Sequence, residues 1–267
     1  MQFSNLAVSQ RLEAAEGFAC AQFAIARKHR FPQSDSTTMQ CAGATVVFDG
    51  IDSPTTQTFG LGLFEPLTPG ALDQIEEFFL SRKTTPMHEV SPFAGAAILD
   101  RLCARNYRPF EISSVLYRAV ETPASPPPAG IRIVHQDEAE LWGTISARGW
   151  THEHPELADF VRDAGVLCVA RQNSPCFLAE IEGTPAAAGA LTIHQGVALF
   201  GGAATVPEHR CRGLQAALLE ARMHHAAAHG CDLAMMVAET GSNSQRNAER
   251  KGFRVAYTRL KWKLMSS

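Results

Sequence analysis

The stretch Val197-Ala-Leu-Phe200-Gly-Gly-Ala203-Ala204-Thr205-Val206-Pro207-Glu-His-Arg210-Cys211-Arg212-Gly213-Leu214-Gln215-Ala216-Ala-Leu218-Leu219 decides how this chain is read. Up to Val206 it is apolar and small, a strand pattern. Pro207 ends it, because proline cannot donate to a sheet ladder. From Leu214 to His229 it is rich in Ala and Leu, a helix closed by Gly230. The first turn of a helix carries unpaired backbone N–H groups and the positive end of the dipole. A loop wrapped there, with Gly213 allowing close approach, cradles a pyrophosphate. Arg210 and Arg212 add charge-assisted contacts. The pattern is neither GxxxxGK[ST] nor GxGxxG. The competing reading is an ordinary strand–helix turn with surface arginines.

On either side of this stretch, strands and helices alternate. The pattern predicts strands at 131–134, 176–181, 186–194, 197–206 and 233–238, and a long strand or hairpin at 253–264. It predicts helices at 137–148, 155–162, 214–229 and 242–251. Ser242 and Gln245 form a capping-box pattern on the last helix. The N-terminal half has a similar order: a helix at 9–27, strands at 42–48 and 56–64, and a helix at 69–82 capped by Thr68. A short strand at 88–90, a helix at 93–105 and a strand at 109–120 follow. Both halves end alike. A helix exits through Asn106 or Gly252 into an aromatic residue and an Arg, which hints at an internal duplication.

Between the halves lies Glu121-Thr-Pro-Ala-Ser-Pro-Pro-Pro-Ala-Gly130, which excludes a helix interior. The expected division is therefore a domain at 1–120, a Pro-rich linker at 121–130 and a domain at 131–267. The length of 267 residues suits two domains. Hydrophobic residues are 45% and charged residues 19%, which excludes a disordered chain. The net charge of −3 gives no basic footprint for nucleic acid. No apolar run is long enough for a membrane span, and no secretory leader is evident at Met1–Asn5. Seven cysteines with no CxxC spacing fit a reducing cytoplasm rather than a disulfide or zinc framework.

The motif Arg210-x-x-Gly213-x-Gln215, with Val206-Pro207 ahead and Leu218-Leu219 behind, resembles the GNAT family of N-acetyltransferases. Asn243–Phe253 looks like that family's final helix running into Gly-Phe, and the strand order of 131–264 fits its fold. The resemblance implies an α/β (α+β) protein of tandem GNAT-like domains, each a mixed, mostly antiparallel sheet flanked by helices. The first domain is a degenerate copy: Glu65-Pro66-Leu67-Thr68 stands where the phosphate loop would be. The resemblance further implies acetyl-CoA as co-substrate, bound by Ala204, Thr205, Val206, Arg210, Cys211, Arg212, Gly213, Leu214, Gln215, Ala216 and Asn243. The pantetheine arm would lie along the strand bearing Ala203–Val206 where it splays from the one bearing Met235–Ala238. The expected reaction moves an acetyl group to an amine of a small molecule or peptide. The alternative is a non-catalytic acyl-CoA-binding or regulatory module.

The chain departs from the family pattern in three places. Gln215 stands at the last signature position, where Gly or Ala is usual. Leu199 and apolar neighbours stand where a Glu is common, and Ala248 stands where a Tyr is common. Glu239, at the end of the 233–238 strand, is the first candidate for the missing base; a solvated strand end is the competing reading. Trp150 is a candidate wall of the acceptor pocket. His152-Glu153-His154 lacks a third metal ligand, and His225 and His229 read as exposed helix residues, so no metal is expected. His194 reads as a turn residue, Tyr257 as core, Cys211 as a small turn filler and His88-Glu89 as a surface strand end. No nucleic-acid or membrane partner is expected, and a homodimer stays open.

Overall fold

The computed structural model describes residues 3–51, 53–152 and 155–265. In chain order the elements are α1 (Leu6–Arg30), β1 (Thr37–Cys41), β2 (Ala44–Phe48), β3 (Gln57–Phe59), α2 (Pro69–Leu80), β4 (Met87–Val90), α3 (Ala96–Ala104) and β5 (Tyr107–Ala119). Then come β6 (Ile131–Ile133), α4 (Ala139–Trp150), α5 (Ala158–Ala170), β7 (Cys176–Ile181), β8 (Thr184–His194), β9 (Val197–Thr205), α6 (Leu214–Ala228), β10 (Leu233–Glu239), α7 (Asn243–Arg250) and β11 (Arg254–Leu264). The expected mixed, mostly antiparallel sheet flanked by helices is what forms.

Two compact units divide the chain: Met1–Arg118 with Met235–Ser267, and Ala119–Ala234. The Pro-rich stretch 121–130 carries no helix or strand and falls near the first boundary. The second boundary has no counterpart in the sequence pattern. Residues 235–267, expected with the C-terminal domain, pack with the first unit. The reason is strand insertion. In that unit the order is β1-β2-β3-β4-β11-β5-β10. β11 pairs antiparallel with β4 through Leu260–Lys263 and with β5 through Arg254–Leu264.

In the first unit, Leu72, Ile75 and Phe79 of α2 meet Val46, Phe48, Leu61, Leu102, Tyr107 and Trp262 in one apolar core. Thr68 Oγ1 caps α2 by accepting from the Ala71 N–H at 3.1 Å, as its sequence predicts. The predicted strand 56–64 shrinks to Gln57–Phe59, because Gly60 and Gly62 take φ of +74° and +69° and turn the chain. The predicted helix 93–105 splits at Gly95, whose φ is +84°. Asn106 and Gly252 both take positive φ, so the two helix exits do match.

This unit also buries a charge cluster. The Arg259 side chain is fully buried and pairs with Glu13 at 2.9 Å, Glu16 at 2.7 Å and Glu89 at 2.9 Å. The Tyr257 hydroxyl donates to Glu13 Oε1 at 2.8 Å. Tyr257 is thus core, as expected. His88-Glu89 is not a surface strand end: both residues are buried in the middle of the sheet, because β11 covers the side that β4 would otherwise expose. Burial pushes the His88 imidazole down to about 3, so it stays neutral against Tyr107, 4.9 Å away.

The second unit is an antiparallel meander, β6-β7-β8-β9, with α4, α5 and α6. Its hairpins turn through Glu182-Gly183 and Gln195-Gly196, all four residues at positive φ, as two-residue turns between right-twisted strands require. α5 extends to Ala170, beyond the predicted end at 162. Val166–Val169 are buried and carry no one-sided periodicity. Gly143 and Gly165 let α4 and α5 touch: a Cβ on Gly165 would lie 2.6 Å from the Gly143 Cα. Among the described residues no helix is long and apolar enough to cross a membrane.

Candidate functional site

Residues 197–228 fold as β9, a 3-10 turn at Pro207–His209, a loop at 210–213 and α6. β9 and β8 lose register between Ala188 and Ala190: Ala188 faces Ala204, but Ala190 faces Gly201. Two residues of β9 therefore stand opposite one of β8, a bulge, and Gly202 takes φ of +60° inside it. Trp142 fills the space over that bulge: a Cβ on Gly202 would lie 3.3 Å from its ring.

Beyond the bulge the backbone curls. Cys211 and Gly213 both have positive φ, +62° and +80°. A positive φ at a non-glycine residue costs free energy and marks a constrained turn. Cys211 is a small residue in this turn, and its side chain is exposed. Gly213 is the N-cap of α6, and no side chain caps that helix. The N–H groups of the first turn are therefore open to an anion. A Cβ on Gly213 would meet nothing within 4 Å, so the approach to this turn is clear.

The two arginines differ. Arg210 Nη2 donates to the Gly149 carbonyl at 3.1 Å and Arg210 Nε to the Thr205 carbonyl at 3.4 Å. Arg210 thus ties the loop to β9 and to the end of α4. Arg212 is exposed and makes no ion pair among the described residues. Gln215, the departure from the signature, turns its side chain back: its Nε2 donates to Thr205 Oγ1 at 2.7 Å. The substitution keeps the backbone N–H and adds a strut between α6 and β9.

Ala204, Thr205, Val206 and residues 210–216 are brought together in the second unit. Asn243 and Glu239 lie in the first. Glu239 ends β10 and is exposed. Asn243 opens α7, and its Oδ1 accepts from Arg246. Trp150 is the last residue of α4 and is 58% exposed. His194 is half-buried at the end of β8. His225 is half-buried rather than exposed: its ring stacks on His229 at 3.9 Å, and burial pushes it down to about 4. Ala248, where a tyrosine is common, is buried. Glu153 and His154 lie outside the described residues. No group of three or more His, Cys, Asp or Glu among the described residues could hold a metal.

Gly149 packs against this segment, a contact that the sequence reading missed. A Cβ there would lie 2.6 Å from the Ala204 Cβ and 2.9 Å from the Thr205 nitrogen. The signal was a glycine inside a helix, which costs about 1 kcal/mol against Ala and calls for a packing reason. Gly149→Ala is expected to push α4 off β9 and destabilise the fold by about 1–3 kcal/mol. Urea denaturation checks this, and an unchanged midpoint would refute the close packing.

Residues 132–253 match the model of the acetyltransferase (GNAT) family. The match runs past Ala234 through β10 and α7. No curated protein matches the chain. Among solved structures, the chain is similar to a GCN5-related N-acetyltransferase from Kribbella flavida, with 19% identity, 93% of this chain and 96% of that one covered, and a TM-score of 0.62. It is also similar to a functionally unknown conserved protein from Staphylococcus epidermidis, at 8% identity, 90% and 98% coverage and a TM-score of 0.59. A tandem GNAT protein from the clavulanic acid biosynthesis pathway aligns at 13% identity over 100% of this chain and 98% of that one, with a TM-score of 0.54. At these identities the solved structures speak for the fold. Residues 132–253 thus match an acetyltransferase (GNAT) domain, and the chain shares the fold of these solved structures.

Proposed function

We propose that the protein transfers an acetyl group from acetyl-CoA to an amine of a small molecule or peptide in the cytoplasm. The observation that carries this reading is the uncapped N-terminus of α6 behind the positive-φ turn at Cys211 and Gly213. It is an anion cradle of backbone N–H groups with a clear approach and one uncommitted arginine. Such a cradle fits a pyrophosphate. When bound, acetyl-CoA supplies an activated acetyl thioester.

This chain's residues then have distinct tasks. The N–H groups at 211–216 and Arg212 hold the phosphates, while Arg210, Gln215 and Thr205 fix the loop on β9. Ala204–Val206 offer strand backbone to the pantetheine amides. Our candidate base is Glu239, an exposed carboxylate at a strand end that accepts a proton from the acceptor's ammonium group. Trp150 offers an exposed aromatic face to the acceptor, and Asn243 is a further polar contact for the cofactor.

A second reading has its own support. Leu199 and Ala248 stand where the family commonly has Glu and Tyr, which favours an acyl-CoA sensor without catalysis. Two measurements separate the readings. Acetyl-CoA is expected to raise the melting temperature of the protein, as any ligand of the native state does. Free thiol is expected to appear when a panel of small amines, aminoglycosides and peptide N-termini is added. No thermal shift would sink both readings; a shift without thiol release would favour the sensor.

A further inference from the structure

Two buried thiols away from the cradle face each other in the second unit. Cys168 lies in the last turn of α5 and Cys176 opens β7; both are buried. Their Sγ atoms are 3.6 Å apart. Arg171 Nη2 donates to Cys168 Sγ at 2.9 Å, and Arg171 Nε reaches the Cys168 carbonyl at 3.3 Å. Cys176 Sγ also lies 3.7 Å from the Ser174 carbonyl. Arg171 is half-buried, so the pair has a polar edge toward solvent.

The surroundings are electropositive. Arg222 of α6 is buried and has no carboxylate partner among the described residues. Its guanidinium donates to the carbonyls of Leu218 at 3.0 Å, Ala190 at 3.0 Å and Gly201 at 3.3 Å. A buried cation without an anion is costly, and burial pushes Arg222 down to about 10. The hydrogen bond from Cys176 and the nearby Arg171 pull the Cys168 thiol down to about 6, while Cys176 is pushed up. The pair thus favours the thiolate at Cys168, against the Arg171 guanidinium, and the thiol at Cys176, 3.6 Å away. Inert structural cysteines have raised values; Cys168, lowered beside a guanidinium, differs from them.

We propose that Cys168 and Cys176 form an oxidisable dithiol that closes reversibly to a disulfide when it meets a hydroperoxide. In the first step the Cys168 thiolate attacks a peroxide oxygen. The S–O bond forms, the O–O bond breaks, and the departing oxygen takes a proton from solvent. In the second step Cys176 sulfur attacks Cys168 sulfur. The S–S bond forms, the S–O bond breaks, and the hydroxyl leaves as water with the Cys176 proton. Two thiols are oxidised by two electrons and one peroxide is reduced. The sulfurs must close from 3.6 Å to about 2.05 Å. The short connection 171–175 absorbs the change; it already turns through Asn173 at φ of +50°. Cytoplasmic disulfides, where they occur, are of this transient kind.

The test uses the folded chain of 267 residues. One equivalent of hydrogen peroxide is added, the protein is denatured and alkylated, and its thiols are counted and mapped. All seven cysteines are free at the start. The expected result is five free thiols, a 168–176 linked peptide, and a return to seven with dithiothreitol. In Cys176→Ser, Cys168 is expected to be trapped as sulfenic acid and labelled by dimedone. Arg171→Gln is expected to slow the closure about tenfold, since less thiolate is held. Mapping that finds Cys168 and Cys176 still reduced while the exposed Cys103 and Cys211 are oxidised would overturn the proposal. So would a disulfide from either of them to another partner. The mapping of the unaltered protein decides the matter even where a variant fails to fold.

Discussion

Gly213→Glu is expected to abolish the thermal shift proposed for acetyl-CoA while leaving the protein folded. The position has room: a Cβ there meets nothing within 4 Å. The damage comes from two other sources. A side chain at φ of +80° strains the backbone by about 1–2 kcal/mol. The new carboxylate would also stand at the N-cap of α6, where the phosphates are proposed to lie, and facing like charges cost several kcal/mol. Affinity should fall at least 100-fold, about 2.7 kcal/mol. Gly213→Ala brings the strain without the charge and should weaken binding about tenfold. An unchanged shift with Gly213→Glu would remove the cradle from the proposed function. Loss of the folded baseline in both variants would instead show a structural role for the turn.

Arg259→Met is expected to destabilise the chain by about 3–5 kcal/mol, because it leaves Glu13 buried without its cation and Glu89 with Lys261 alone, at 3.6 Å. Urea denaturation measures this, and a change below about 1 kcal/mol would mean the cluster is solvated. The pH dependence has a definite sign. Burial raises Glu13 to about 7 in the folded chain, against about 4.5 when unfolded. Arg259 opposes the rise, while Glu16 and Glu89 reinforce it. The folded state therefore holds this proton more tightly. The stability so gained is full below about pH 4.5 and is lost as pH climbs through 7. Glu89 is shifted the same way by burial. Glu13→Gln, which keeps a neutral group there, should flatten the fall in stability between those two values.

The strand, turn and helix around Gly213 were legible because their signals are local. Pro207, Gly213 and the Ala/Leu run after it fix a strand, a turn and a helix within about twenty residues. The same holds for Thr68, Ser242, Asn106 and Gly252, each of which acts on its own turn. What stayed hidden depends on partners distant in sequence. Nothing around Arg259 announces that its counter-charges are Glu13, Glu16 and Glu89. The pattern of 254–264 predicts a strand but not that it enters between β4 and β5. Residues 163–170 were lost to the helix pattern because uniformly buried residues erase the period that marks a surface helix. Gly149 and Gly202 act through close approaches to Ala204 and Trp142, which a sequence shows only as unexplained glycines.

The insertion of β11 bears on how the chain is made. A ribosome delivers β4 and β5 long before β11, with the whole of 119–234 in between. Until residues 254–264 emerge, the facing edges of β4 and β5 have no partner, and Glu13 and Glu89 have no Arg259. The first unit, though begun first, is completed last. The nascent chain must carry open strand edges through most of its synthesis, and such edges invite intermolecular pairing. The second unit, whose strands pair only with neighbours in sequence, has its meander in hand before that delay ends.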